Sequence, residues 1–186
     1  MRRVSAALHA NACVLALLGL LLGLPKNAWG QSASEHRLKA WNVYTDAQRH
    51  WQQELAEFLT RHQPDLKDLI ALNRDLQLAM IEKRSLEFQY LRTVHPERIV
   101  PDHDMSRFAN FDWDDHDAEA LREVNPEFAH VEEYIKDLRE RNDGHPQWPA
   151  LRAAYQSLAK DPGYQVIYNR FQEQVTQAEK ILAEAQ

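Results

Sequence analysis

Downstream of residue 30 the chain contains two glycines, Gly144 and Gly163. Glycine supplies the positive-φ positions that tight strand-to-strand turns require. A chain this poor in glycine has few places to reverse a strand. No stretch alternates apolar and polar residues in the way a half-buried strand does. Apolar residues recur instead at spacings of three and four, and prolines fall between the periodic segments. The pattern predicts an all-α fold.

Ser32 and Glu35 have capping-box spacing and predict a helix from there to about His62, with Leu38, Trp41, Tyr44, Trp51, Leu55, Phe58 and Leu59 on its apolar side. Pro64 or Asp65 opens a second helix reaching about Thr93. The tight turn between two helices of nearly equal length predicts an antiparallel hairpin. His95-Pro96 stops the second helix, because a residue before proline avoids the helical region, and residues 95–116 read as irregular. Further helices are expected from about Asp117, from Asn125-Pro126 to about Asn142, from Pro149, and from Asp161-Pro162 to the end. The expectation is an antiparallel helical bundle built on the long N-terminal hairpin, with a long acidic-aromatic loop packed across it.

The first thirty residues have the order of a secretory signal peptide. Arg2 and Arg3 precede an apolar run from Ala12 to Leu24, Pro25 follows, and Ala28-Trp29-Gly30 places small residues at −3 and −1 of a cut before Gln31. The run of 13 residues is shorter than the roughly 20 a spanning helix needs. The only cysteine, Cys13, lies inside the run and not after the cut, which argues against lipidation. We therefore expect a cleavable signal over 1–30, one domain over 31–186, a periplasmic or secreted location, and no stable membrane anchor after cleavage.

Cleavage there would leave 19 Lys and Arg against 28 Asp and Glu, a net charge of −9. Such a chain has no general affinity for nucleic acid or anionic lipid. Without a thiol it has no disulfide, thiolate nucleophile or covalent c-type haem.

The densest chemistry lies in the long loop. Asp102, His103, Asp104, Asp112, Asp114 and His116 are candidate ligands for a divalent metal. Asp112, Asp114, His116 and Glu123 echo a calcium loop, but Asp117 stands where such a loop needs glycine, and an Asp/His mixture suits zinc or manganese better. The competing reading is that Asp114 to Asp117 cap a helix. Phe108, Phe111 and Trp113 are candidate ligand or partner contacts, or else pins that hold the loop on the core. Glu127 and His130 form one Glu-x-x-His pair, to which His50, Glu54, Glu57, Glu82 or Glu87 would have to add partners. A di-iron bundle needs two such pairs.

No nucleophile elbow, phosphate loop, dinucleotide loop or His-Glu-x-x-His motif is present. No cofactor is expected beyond a possible divalent metal, and no catalytic residue is assigned. The reading is a non-catalytic exported protein of binding, adaptor or chaperone-like type with an envelope protein partner. The alternative is a metal- or small-ligand-binding bundle using the 102–117 loop.

Overall fold

The structure, a computed structural model, describes residues 27–100 and 102–184, with side chains from Ala33 onward. The expected signal segment up to residue 26 lies outside the described residues. Among the described residues seven α-helices follow one another: α1 (Asn27–His62), α2 (Lys67–Val94), α3 (Met105–Phe108), α4 (Asp115–Val124), α5 (Pro126–Asp143), α6 (Trp148–Leu158) and α7 (Pro162–Ala183). There is no strand among the described residues. None of the described helices is long and apolar enough to cross a membrane.

Helix starts follow the local chemistry. Asp114 accepts from the Asp117 backbone N–H while the Asp117 side chain accepts from the Asp114 N–H, a reciprocal capping box at the head of α4. Asn125 caps α5 and Asp161 caps α7, each with proline as the next residue, where a missing N–H costs nothing. At α1 the expectation shifts: the chain is already helical at Asn27, the first described residue, and the helix passes through the Ser32–Glu35 spacing. A capping motif favours a start but does not forbid continuation, and no proline interrupts residues 27–62.

The long helices lie side by side in the order α7, α1, α2, α5, each antiparallel to its neighbour. Trp41 of α1 stacks on Phe88 of α2 with centroids 4.3 Å apart, and Arg49 of α1 reaches Glu82 of α2 at 2.9 Å. The expected hairpin therefore forms. The most extensive contact of α1, however, is with the C-terminal helix α7. Trp51 stacks on Phe171 at 5.0 Å, Glu54 pairs with Arg170, and Phe58 packs against Gly163. The buried alanines Ala47 and Ala178 add little bulk to the packed faces of α1 and α7.

Two clusters form most of the core. One joins Leu55, Leu59, Ile70, Leu76, Ile135, Leu138, Leu151 and Ile167 from α1, α2, α5, α6 and α7. The other gathers Trp41, Phe88, Leu91, Met105, Phe108, Phe111 and Ile181 at the opposite end of α1 and α2. Burying a side chain such as Phe88 contributes about 2–3 kcal/mol, so these clusters carry the fold without a disulfide. The long loop is more ordered than the sequence suggests. It contains a 3-10 turn at Pro96–Arg98 and the single turn α3.

Candidate functional site

A groove of about 470 Å3 runs between α2 and α5, within the size range of ligand sites. Its floor is Met80, which is 40% exposed, and Ile135, which is 5% exposed. Charges of both signs line its rims. Lys83, Arg84, Glu87 and Glu132 stand at one end, and Lys136, Arg139, Glu140 and Asp143 at the other. Helical periodicity builds the site: Met80, Lys83, Arg84 and Glu87 share one side of α2, and Glu132, Ile135, Lys136 and Arg139 one side of α5.

The first end is internally tied. Lys83 Nζ lies 2.9 Å from Glu132 and 3.7 Å from Glu87, and Arg84 lies 2.9 Å from Glu87. Arg122 of α4 also holds Glu132. Burial opposes ionisation of Glu132, yet the hydrogen bonds and charges of Arg122 and Lys83 hold its carboxyl below the usual range. The same bond to Glu132 holds the Arg122 guanidinium protonated more firmly than usual. A carboxyl so held keeps no proton to donate near neutral pH. The groove thus offers an apolar floor and fixed charges, which suit recognition. The far rim, by contrast, is exposed, and its closest ion pair, Lys136 with Glu140, spans 4.0 Å.

The loop residues with candidate metal chemistry fall into two separate groups. Asp102 accepts from the Asp104 N–H, and Asp104 caps α3 by accepting from the N–H groups of Ser106 and Arg107 and from the Ser106 hydroxyl. These bonds, led by the Ser106 hydroxyl, hold the Asp104 carboxyl below its usual range. His103 is exposed beside Asp102 at 3.6 Å. Asp112 and Asp114 instead face Arg98, at 3.5 Å and 3.4 Å, and His116 is exposed on α4. Among the described residues, no group of three or more His, Asp or Glu side chains is arranged to hold a metal ion.

Of the three loop aromatics, Phe108 and Phe111 are core residues, 1% and 5% exposed. They pack on Trp41 and Phe88, so in this structure neither ring has a free face for a ligand. Trp113 is half-buried and meets Tyr90 and Phe128 edge-on. Glu127 and His130 are exposed while Phe128 between them faces the core, so the Glu-x-x-His pair points out of the bundle. His50 lies 3.6 Å from Glu54 on the same helix, and Glu54 is already held by Arg170.

The groove residues carried local sequence signals, the i,i+4 spacings of Lys83 with Glu87 and of Lys136 with Glu140. The link from Lys83 to Glu132 spans 49 residues of chain and has no local signature. In comparisons with family models, with curated proteins and with solved structures, nothing matches this chain.

Proposed function

We propose that this is an exported, non-catalytic binding protein of adaptor or chaperone-like type, which takes an amphipathic segment of a protein partner into the groove between α2 and α5. The observation that carries the reading is Met80, a large apolar side chain 40% exposed on the groove floor between rims of both charge signs. A partner helix placing one apolar residue on Met80 and Ile135, with acidic and basic residues on either side, matches this lining. Exposed charge on the far rim favours a partner that leaves those groups hydrated over a small ligand that must desolvate them. Export rests on the N-terminal segment, and the acidic charge disfavours nucleic acid as the partner.

A photo-crosslinking residue in place of Lys136, in the full chain in its own cell, tests the groove. The expected result is a discrete protein adduct that disappears when Met80→Lys is added. The same probe in place of Gln172, exposed on α7, should give none. Absence of an adduct at Lys136, or one indifferent to Met80→Lys, overturns the reading. N-terminal sequencing tests export separately: Gln31 as the first residue of extracytoplasmic protein is expected, and an intact Met1 on protein retained in the cytoplasm overturns it.

A further inference from the structure

We propose that residues 102–113 are a strap held shut by acid-sensitive ionic latches, and that this strap lifts from the helices before the bundle unfolds. The strap lays Met105, Phe108 and Phe111 on Trp41, Phe88 and Leu91. Among the described residues its regular backbone structure is one helical turn, Met105–Phe108, so side-chain clamps must supply much of its attachment.

Three clamps are present. At the base of the strap, Arg98 lies 2.8 Å from Asp117, 3.4 Å from Asp114 and 3.5 Å from Asp112, tying the chain before the strap to the chain after it. On the α7 side, Glu179 accepts from the Met105 N–H at 3.3 Å. On the α2 side, Arg84 donates to the carbonyls of Ala109 at 2.9 Å and Phe111 at 3.3 Å. Its guanidinium also sits 3.5 Å from the centroid of the Phe111 ring. Glu87 in turn holds Arg84.

Two of the three clamps, and the support of the third, depend on a carboxylate. Facing the strap or its clamps are Tyr44 from α1, Arg84 and Glu87 from α2, Glu179 and Lys180 from α7, and Asp117 from α4. Within the strap stand Asp102, His103, Asp104, Arg107 and Asp112, with Arg98 and Asp114 at its borders. Protonating the carboxylates removes the counter-charges that hold Arg98 and support Arg84 and makes the Glu179 acceptor neutral, so the base and α7 clamps weaken while the bonds from Arg84 to the two carbonyls remain. The bundle loses ion pairs as well, among them Arg49–Glu82 and Lys83–Glu132. It retains its helical backbone ladders and the apolar cluster around Leu59, Ile70 and Leu138, and none of these titrates.

Hydrogen–deuterium exchange of the full chain, corrected for the intrinsic pH dependence of exchange, tests the proposal. Between pH 7 and about pH 3, below the ordinary carboxylate range, peptides covering 102–113 are expected to lose protection by about tenfold or more while peptides within 40–62 and 67–91 keep theirs. Glu179→Ala, and independently Asp117→Asn, should produce the same selective loss at pH 7. Strap protection that survives acid, or falls together with that of α1 and α2, overturns the proposal. So does selective acid release that neither substitution reproduces at pH 7.

Discussion

Arg98 and Asp117 stand 19 residues apart and meet at 2.8 Å, with the Asp117 side chain 2% exposed and that of Arg98 21% exposed. The aspartate does two things at once. One oxygen accepts from the backbone N–H of Asp114, closing the capping box of α4, and the carboxylate anchors the guanidinium. The bond to Asp117 also raises the affinity of Arg98 for its proton. Asp117→Ala removes the Asp117 half of the capping box and leaves Arg98 with the more exposed Asp112 and Asp114. The expected cost is about 2–4 kcal/mol, read as a lower urea midpoint. Asp114→Ala should cost less, about 1 kcal/mol, because its main role is the exposed half of the cap.

Stability should fall on acidification with a definite sign. Asp114, through the Asp117 backbone N–H first and Arg98 after it, and Glu132, through Arg122 and Lys83 against the opposing effect of burial, have carboxyls held below their ordinary values of 3.8 and 4.5. Groups with depressed folded pKa values contribute stability that is fully present above those ordinary values and is lost as pH falls through the folded ones. Urea midpoints should be flat from neutral pH to about pH 5 and then decline. Glu132→Gln should make that decline shallower.

Gly163 in the first turn of α7 sits where a Cβ would come 2.9 Å from Cε2 of Phe58 and 3.2 Å from the capping oxygen of Asp161. Phe58 is 6% exposed and has little room to yield. Gly163→Ala should therefore destabilise by about 1–3 kcal/mol, even though alanine is the better helix former. Combining it with Phe58→Leu should recover part of the loss, and a double-mutant cycle measures the coupling.

Tyr155 of α6 accepts from the Asn73 side chain of α2 at 2.8 Å, and burial, opposed by that bond, raises its pKa. Tyr155→Phe should cost about 1 kcal/mol and leave the helical circular dichroism unchanged. A larger loss would show that the bond also sets the docking angle of α6.

Local chemistry was read directly from the chain. The Asn125-Pro126 and Asp161-Pro162 starts and the helical stripes of α2 and α5 lie where spacing places them, because caps and periodicity depend on residues within one or two turns. Other features were misplaced or invisible. The acidic residues of the loop looked like one cluster, but Asp102 and Asp104 serve α3 whereas Asp112 and Asp114 turn to Arg98. Phe108 and Phe111 read from the sequence as loop pins in the first place and as ligand contacts in the second, and Trp41 and Phe88 beneath them make them pins. Nothing near Arg84 in sequence indicates that it holds the carbonyls of Ala109 and Phe111, at separations of 25 and 27 residues.

The amino-acid sequence by itself determined the helical class, the principal boundaries after residue 62, and the absence of a thiol downstream of residue 30. Each follows from interactions spanning a few residues or from composition alone. Tertiary structure decided that α1 packs most extensively on α7, that the loop is tied down through Arg84, Arg98 and Glu179, and that an apolar floor with charged rims opens between α2 and α5. Those outcomes depend on which faces close on one another across tens of residues, a choice made by the packing of the whole chain.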